Sequence, residues 1–339
     1  MATCGDPVTA AVGYLLRHQD RVSWWSDFNL APGPSTEWVT AYVASALCSS
    51  GQPAALEAAG LAWRALAGCA AEGGWGYNGW TPRDADSTAW AVWLAITLGQ
   101  RSSVPAVAAD LFLACHQTPD GGLATYRCEA ALRSFTGSSP TADLSGWLAS
   151  HVCVTAAAAC LPGWERLLPY LRDRQWSDGR WSSYWWIDDA YATAFATQAL
   201  ACSAEPDDTA RLARAGRWAL DELRRTTKAG HQPSPFAVAL TLQALHYSAS
   251  ACVAAKDGCD RAVAWLVSRQ HSNGSWTASA QLRVPPPDVH EPVTHFHWEV
   301  GGRIEGALVV DQAAVFTTAT VLRALSLELA TGRPLGQTA

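Results

Sequence analysis

Two aspartates separated by one residue stand at the head of an apolar segment, in the stretch DADSTAW at 84–90. Asp84 and Asp86 are close enough in the chain to share one crowded polar position at the start of a helix. Two neighbouring carboxyl groups resist double ionisation, which raises the pKa of one of them, and burial among tryptophans raises it further. A carboxyl group that stays protonated can donate a proton, so this pair is a candidate general acid.

The same two residues also fit a structural role. Asp84 has the residue type and position of a helix N-cap, and Asp86 would then lie in the first turn. There the positive end of the helix dipole favours the charged carboxylate and lowers its pKa. The local pattern leaves capping and acid catalysis open. Asp86 facing an aromatic cavity, with Asp84 within hydrogen-bonding reach, would favour catalysis.

A seven-residue frame recurs along the chain, with a small or polar residue first, Gly or Ser four places later and Trp or Leu six places later. The copies are QDRVSWW (19–25), CAAEGGW (69–75), QTPDGGL (117–123), QWSDGRW (175–181) and QHSNGSW (270–276). The last gap is about twice the others, which predicts a degenerate sixth copy near 228. A structural role explains the frame: Gly ends a helix in a left-handed turn, Gln bonds freed backbone groups and Trp packs beneath.

The segments on either side of each frame differ in hydrophobic pattern. Those before it, such as 54–69 and 258–270, are amphipathic, which suits an outer, half-solvated ring of helices. Those after it, such as 36–47 and 188–200, are uniformly apolar, which suits a buried inner ring. Six such pairs predict an all-α fold, an α/α six-hairpin double-ring barrel formed by residues 1–339 as one domain. The inner helices should start at one end of the barrel, near 36, 84, 143, 188, 234 and 311. An open solenoid of helix pairs is the alternative.

Composition excludes several classes of function. Only 16% of the 339 residues are charged, the net charge is -6, and there is no basic cluster to hold a nucleic acid. Ten cysteines without a CxxC pair indicate a reducing compartment rather than a disulfide framework. There is neither a basic, signal-like start nor a run of about 20 apolar residues that could span a membrane. These features favour a cytoplasmic protein.

The repeat frame resembles the QW motif, QxxxGxW, of squalene–hopene cyclases and other class II terpene cyclases, whose repeats build α/α barrels. Five copies cover nearly the whole chain, whose length suits one barrel, whereas squalene–hopene cyclases carry two. The resemblance implies a protonation-initiated cyclase that converts a linear isoprenoid or prenylated substrate into a cyclic terpenoid. In that family the acid lies in a DxDD motif. DADS matches its first three positions, which implies that Asp86 is the general acid, Asp84 its partner, and Ser87 a substitute for the last carboxylate.

Protonation of an alkene leaves a carbocation, and aromatic faces stabilise a cation by roughly 0.5–2 kcal/mol per contact. The sequence has 18 tryptophans. Those near the predicted inner-helix starts are candidate substrate contacts, although many could be ordinary core. The candidates are Trp38, Tyr42, Trp80, Trp90, Trp93, Trp147, Trp185 and Trp186.

The segment 277–310 is long for a connection inside a compact domain and is predicted to be a lid-like loop over the site. It carries His290, Glu291, His295, His297 and Glu299. His297 or Glu299 could accept the proton that ends the reaction, and a metal site formed by these residues is an alternative.

Acidic residues also precede the other predicted inner helices, and most should be helix caps. They are Glu37, Asp143, Asp188, Asp189 and Asp311. We include Asp188 among the candidate substrate contacts because one of these groups could orient the substrate.

Arg83, Arg283 and Arg303 are the candidate cations for a substrate head group. Protonation by a side chain requires no cofactor, and Mg²⁺ would be needed only for a diphosphate substrate. A neutral or aromatic head group fits the sequence equally well, and the pattern makes no prediction of oligomeric state.

Two other functions remain open at this point. The first is a transferase resembling protein prenyltransferase β subunits, which need Zn²⁺ held by Asp, Cys and His and a partner subunit. The second is an isoprenoid-binding barrel without catalytic activity, which Ser87 in the acid motif keeps open.

Overall fold

The computed structural model describes residues 6–228, 230, 232, 234–295, 297–300 and 305–330. Within these ranges the chain forms fourteen α-helices. They are α1 (Pro7–Arg17), α2 (Glu37–Ser49), α3 (Pro53–Cys69), α4 (Ala85–Thr97), α5 (Val104–Cys115), α6 (Glu129–Thr136), α7 (Ser145–Leu148), α8 (Val152–Ala159), α9 (Leu168–Asp173), α10 (Ala190–Ser203), α11 (Thr209–Thr226), α12 (Pro235–Ser248), α13 (Ala255–Ser268) and α14 (Val315–Ala330). No helix in these ranges is long and apolar enough to cross a membrane.

Six of the helices form a closed inner ring. α2 packs against α4, and the contacts continue through α8, α10, α12 and α14, which packs back against α2. The uniformly apolar composition explains this position, since all of α2 except its last residue is buried. The six-hairpin α/α barrel is confirmed, and the closed ring excludes the open solenoid.

The outer ring consists of α1, α3, α5, α9, α11 and α13, and these helices pack against the inner ring. α3 contacts α2 and α4, and α11 contacts α10 and α12, so each lies over the groove between two inner helices. α11 shows the sequence cause, because its buried residues recur at helical spacing, including Leu212, Ala215, Ala219 and Leu223. Outer helices therefore bury one stripe and inner helices their whole circumference.

The QW frames join the two rings through paired hydrogen bonds. The indole Nε1 of Trp25, Trp75, Trp181 and Trp276 donates to a carbonyl of the preceding outer helix over 2.7–2.9 Å. The backbone N–H of each of these tryptophans donates to a threonine hydroxyl in the fourth position of the following inner helix. The frames are structural, as predicted.

Glutamines of the QW frames link neighbouring outer helices. Nε2 of Gln175 donates to the carbonyl of Gly179 within its own frame and to that of Arg211 in the next outer helix. Nε2 of Gln270 binds Gly274 and, at the start of the chain, Pro7. Gly73, Gly121, Gly179 and Gly274 have positive φ as expected, but they lie inside the turn, several residues after the outer helix has ended.

Two predicted helix starts are displaced. The third inner helix begins at Val152 rather than near 143, because Asp143 accepts the N–H of Ser145 and starts the short α7 instead. The sixth begins at Val315 rather than near 311, because Asp311 binds Ala280 and Thr317 ahead of the helix. The predicted degenerate sixth frame near 228 falls between α11 and α12, where residues 229, 231 and 233 lie outside the described residues.

Five short strands, which the sequence analysis did not predict, lie next to the starts of α2 and α14. β1 (Asp27–Leu30) pairs with β2 (Gly33–Ser35) in a hairpin. β3 (Gln281–Val284) runs antiparallel to β5 (Ala307–Val310), which is parallel to β4 (Glu299–Val300). The predicted loop 277–310 is thus partly a small sheet.

Candidate active site

A cavity opens where the inner helices begin. It encloses about 800 Å³ of empty space, including its opening to solvent. Its walls come from the starts of α2 and α4, from residues between 125 and 147, from Trp185 and from β3. The lining residues are Leu30, Pro32, Trp38, Tyr77, Thr81, Asp84, Asp86, Ser87, Thr125, Tyr126, Leu132, Phe135, Trp147, Trp185, Leu282, Arg283 and Val284.

Asp86 lies in the first turn of α4 and its carboxyl group lines the cavity. Its Oδ1 is buried and, within the described part of the chain, has no hydrogen-bond partner. Burial in the apolar surroundings raises the pKa of Asp86 well above its usual value, and the nearby Asp84 raises it further. Both causes favour the protonated carboxyl group, and no donor in the described structure offsets them by favouring the anion.

Asp84 is the N-cap of α4 and is 4% exposed. Its Oδ1 accepts the backbone N–H of Ser87 at 2.7 Å, and its Oδ2 accepts the Ser87 hydroxyl at 2.8 Å. Burial raises the pKa of Asp84 to about 7, and the bonds from Ser87 partly oppose that rise. The backbone N–H of Asp86 also lowers the pKa of Asp84, but no hydrogen bond joins the two carboxyl groups in the described structure. The capping role falls on Asp84, while Asp86 faces the cavity.

Arg83 points away from the cavity. Its Nη1 lies 2.7 Å from Oε2 of Glu37, which also accepts the N–H of Gly76 at 2.9 Å. Arg83 is absent from the cavity lining and is already paired with the buried Glu37 carboxylate, so its role as a head-group cation stays a prediction that this arrangement does not support. Glu37 itself makes these side-chain bonds instead of capping α2.

Trp38, Trp147 and Trp185 line the cavity as predicted, together with Tyr77 and Tyr126. Burial and the charges of Asp84 and Asp86 all raise the pKa of Tyr126, so its phenol lies near the acidic pair. These rings form the aromatic wall around the carboxyl group of Asp86.

The other predicted aromatic contacts lie elsewhere. Tyr42, Trp90 and Trp186 form a second layer beneath the cavity. Trp93 lies more than two turns along α4 and lines a different cavity at the far end of the barrel. Trp80 is 84% exposed in a turn. Nearness to a helix start in the sequence did not show how deep in the barrel each of these aromatic side chains would lie.

A chain of hydrogen bonds holds Trp185 in the wall. Its Nε1 donates to Oγ1 of Thr125 at 2.8 Å, and Thr125 Oγ1 lies 2.6 Å from Nδ1 of His151. Burial lowers the pKa of His151 to about 3, so the ring is neutral. Its Nε2–H donates to the carbonyl of Gly146 at 2.9 Å, leaving Nδ1 to accept the hydroxyl of Thr125. This chain of hydrogen bonds fixes the orientation of the Trp185 indole.

The strand β3 closes one side of the cavity with Leu282, Arg283 and Val284. Arg283 is buried; its Nε donates to the carbonyl of Tyr184 at 2.9 Å and its Nη2 to that of Ser183. Burial lowers the pKa of Arg283, but an arginine in a protein remains charged. Of the three candidate cations, Arg283 lines the cavity and Arg83 does not. Arg303 lies outside the described residues.

Several further candidates are not brought to the cavity. His297 and Glu299 are exposed, and Asp188 is half-buried outside the lining. The roles of His297 or Glu299 as the terminating base and of Asp188 as a substrate contact stay predictions, which their position outside the cavity lining does not support. Glu299 lies in β4, which pairs with β5 at the edge of the small sheet.

A metal centre finds no support in the ranges that the structure describes, where no three His, Cys, Asp or Glu side chains are grouped to hold an ion. His290 instead binds Ser145, and His295 Nε2 contacts the carbonyl of His297. The sequence contains one Asp-x-Cys triplet, 257–259, but it lies in the outer helix α13.

Sequence reasoning missed the wall formed by Thr125, Tyr126, Leu132 and Phe135. A signal was present: these residues follow the frame 117–123, just as DADS follows the frame 69–75. Every segment between a frame and its inner helix should lie at the same end of the barrel.

Comparison with known proteins agrees with the fold. Residues 130–283 match the model of the squalene-hopene cyclase C-terminal domain. A solved type II terpene cyclase is 36% identical, and the match covers 96% of this chain and 97% of that one with a TM-score of 0.90. At this identity and coverage the chain belongs to the type II, or class II, terpene cyclases, and it is an enzyme of that class.

That solved enzyme is MstE from Scytonema, variants of which are described in complex with geranylgeranyl dihydroxybenzoate as substrate and with merosterolic acid A as product. A protein from Actinoplanes is 35% identical, with 96% of this chain and 100% of that chain covered and a TM-score of 0.88. An ent-copalyl diphosphate synthase from Streptomyces platensis, 20% identical over 86% of this chain and 50% of that one, shares the fold with a TM-score of 0.58. Comparison with curated proteins gave no match.

Proposed function

We propose that the protein protonates an isoprenoid chain with Asp86 and folds the resulting carbocation into rings. The observation that carries this proposal is the Asp86 carboxyl group, which lines an aromatic cavity, has a raised pKa and leaves Oδ1 without a hydrogen-bond partner. An acid of this kind keeps its proton in the resting enzyme and gives it to a bound alkene. No cofactor is needed for that step.

Asp84 and Ser87 act as positioning residues for the acid. When Asp84 is ionised, its negative charge disfavours ionisation of Asp86 and so helps to keep Asp86 protonated. Ser87 donates to both oxygens of Asp84 and therefore fixes that carboxyl group without adding a third buried charge. A hydroxyl thus replaces the last carboxylate of the acid motif.

Trp38, Trp147, Trp185 and Tyr126 supply the faces that stabilise carbocations, each contact contributing roughly 0.5–2 kcal/mol. Because the walls are rigid, they also select the folded conformation of the chain. Loss of a proton from the final cation gives the product, an isomer of the substrate, and leaves Asp86 to be reprotonated from solvent.

The head group is proposed to be an aromatic acid rather than a diphosphate. Arg283 commits Nε and Nη2 to backbone carbonyls, which leaves one terminal nitrogen for a substrate and suits a single carboxylate. The related enzyme MstE is described with geranylgeranyl dihydroxybenzoate, which has such a head group. A diphosphate would need several cations, and Arg83 is already paired with Glu37.

The segment 277–310 is proposed to cover the site. β3 lines the cavity, and the carbonyls of Pro285 and Pro287 accept both N–H groups of Trp147. These contacts join the cover to the aromatic wall. Because these contacts attach the segment 277–310 to the helical barrel, they also support the proposal that residues 1–339 form one domain.

The test is turnover of geranylgeranyl dihydroxybenzoate, with geranylgeranyl diphosphate as the competing substrate. The wild-type protein should convert the first to products of unchanged mass and new retention time. Asp86→Asn should lose turnover by at least the 10²–10⁴-fold that general acid catalysis contributes. Its folding should change by less than about 1 kcal/mol, because Oδ1 loses no hydrogen bond.

Asp221→Asn, at an exposed site on α11, is the matched control and should retain full turnover. Undiminished turnover by a folded Asp86→Asn protein would assign the acid to another residue. Preference for the diphosphate would reject the proposed head group while leaving the acid in place.

A further inference from the structure

A second cavity lies at the opposite end of the barrel, towards the carboxyl ends of the inner helices. It holds about 660 Å³ of empty space, including its opening to solvent. Its lining is mainly apolar in area but includes the polar side chains of Ser45, Gln198, Gln243, Tyr247, Arg323 and Ser326. None of these residues lines the catalytic cavity, from which the second aromatic layer separates them.

Arg323 is the unusual residue of this far cavity. It lies in α14 and is 8% exposed, with its guanidinium carbon 5.4 Å from the ring centre of Tyr42, 4.6 Å from that of Trp90 and 4.9 Å from that of Trp93. These three rings pack around the guanidinium group, one edge of which carries Nε and Nη2. Nε and Nη2 on that edge are buried and have no hydrogen-bond partner in the described structure.

Among the residues that the structure describes, no carboxylate forms an ion pair with Arg323. The groups that act on it most strongly are Tyr42, Tyr191, Tyr247 and Cys160. Glu328, on the same helix, lies 2.6 Å from Nδ1 of His246. A buried guanidinium remains protonated, and leaving its donors unpaired is costly.

A second donor lies beside it. Ser326 is three residues further along α14, and its buried Oγ also has no partner in the ranges that the structure describes. Residues three apart on a helix share a face, so the hydroxyl and the guanidinium edge both line the far cavity. Nε2 of Gln243 donates to Oε1 of Gln198 at 2.9 Å, which leaves the amide nitrogen of Gln198 as a further donor.

We propose that the far cavity binds a small oxyanion of phosphate size, held in a bidentate manner by Nε and Nη2 of Arg323 and by the hydroxyl of Ser326. Planar guanidinium edges match the spacing of phosphate and carboxylate oxygens. Helix carboxyl ends carry about half a negative charge, which opposes an anion, but that effect fades within the last turn. Arg323 carries a full charge at contact distance about two turns before the end of α14, so its attraction is the larger effect.

The test is thermal unfolding of the wild-type protein in sodium phosphate, pyrophosphate or acetate, each compared with sodium chloride at matched ionic strength. Inorganic phosphate should raise Tm saturably, and calorimetry should give the dissociation constant. The pyrophosphate and acetate arms separate a phosphoryl group from a carboxylate as the preferred oxyanion. Equal Tm in every oxyanion and in chloride would overturn the proposal.

Arg323→Met keeps the length of the side chain and removes its charge, so it should weaken phosphate binding by about tenfold or more. Arg261→Met on the exposed side of α13 is the matched control and should bind as the wild type does. Equal binding by Arg323→Met would place the anion elsewhere.

If Arg323→Met fails to fold, crystals of the wild-type protein soaked in tungstate decide the question. Density within hydrogen-bonding distance of Nε and Nη2 of Arg323 supports the site, and density elsewhere alone rejects it. These measurements need no turnover, so they are independent of the proposed cyclisation.

Discussion

Ser87 binds both oxygens of Asp84, with its backbone N–H 2.7 Å from Oδ1 and its hydroxyl 2.8 Å from Oδ2. Asp84 is thereby fixed as a helix cap, and Asp86, two residues on, is left to face the cavity. Ser87 thus holds Asp84 in the capping role and leaves the carboxyl group of Asp86 available for the proposed acid role.

Ser87→Ala should lower both stability and turnover. Loss of one hydrogen bond should cost about 1 kcal/mol, and Asp84 would be less firmly placed beside the acid. Unfolding in urea and product counting by mass spectrometry measure the two effects. Ser203→Ala, which removes a hydroxyl bonded to Leu200 far from the cavity, should lose similar stability but no activity. Full turnover by Ser87→Ala would remove Ser87 from the positioning role.

Stability should fall as the pH rises from 5 to 8. Burial raises the pKa of Asp84 to about 7 and that of Asp311 to about 8, whereas an aspartate in the unfolded chain has a pKa of about 3.9. Asp84 and Asp311 therefore keep protons in the folded state that they lose in the unfolded chain, which outweighs the opposite effect of the neutral His151 below about pH 6.5, so each added pH unit favours unfolding. Asp84→Asn should flatten the part of the slope below about pH 7 and leave the fall towards pH 8.

Chemical unfolding of the wild type and of Asp84→Asn at five pH values measures the difference. Asn can still accept the N–H of Ser87 and cap α4, so the variant should fold. Parallel curves for the two proteins would show that Asp84 is ionised throughout this range.

Thr125→Val should change the product ratio. The substitution keeps the shape but leaves Nε1 of Trp185 without its acceptor and Nδ1 of His151 without its donor, at a cost of about 1–3 kcal/mol. The Trp185 indole, no longer held in place, should then control the conformation of the carbocation less strictly. Additional cyclised products should appear by chromatography. Thr193→Val, which removes a buried hydroxyl at the Trp181 frame, should cost stability without altering the products.

Gly274→Ala should destabilise the barrel more than Gly51→Ala does. Both glycines have positive φ, where a Cβ costs about 1–2 kcal/mol. A Cβ at Gly274 would lie 2.1 Å from the carbonyl oxygen of Ala10, whereas a Cβ at Gly51 has no atom within 4 Å. The total loss for Gly274→Ala should reach about 3 kcal/mol in urea unfolding. Equal losses would mean that the two backbones separate without cost.

The repeat could be recognised from the sequence because its determinants are local. The glycine, the glutamine and the tryptophan of each frame act on a turn and the helices beside it, so their spacing is visible in the chain. The position of Asp84 and Asp86 at a helix start was predictable for the same reason. Six apolar helices then have few arrangements other than a ring.

The lateral walls of the cavity could not be predicted in this way. Arg283 reaches the carbonyl of Ser183 across 100 positions of the chain, and no local pattern encodes that contact. Trp80 and Trp93 flank the acidic pair in sequence, yet one is exposed and the other lies at the far end. Their depth depends on the path of the turn and on the rise of α4, which composition does not reveal.

The hydrogen bonds from Gln270 to Pro7 and from Tyr14 to the carbonyl of Ala313 join the last helix pair to the first. In a linear array of repeats the end units fray first, because each has only one neighbour. A closed ring has no end unit. Removing α1 would expose the apolar side of α14 rather than trim an edge, so every pair is equally indispensable and the six should melt as one cooperative unit.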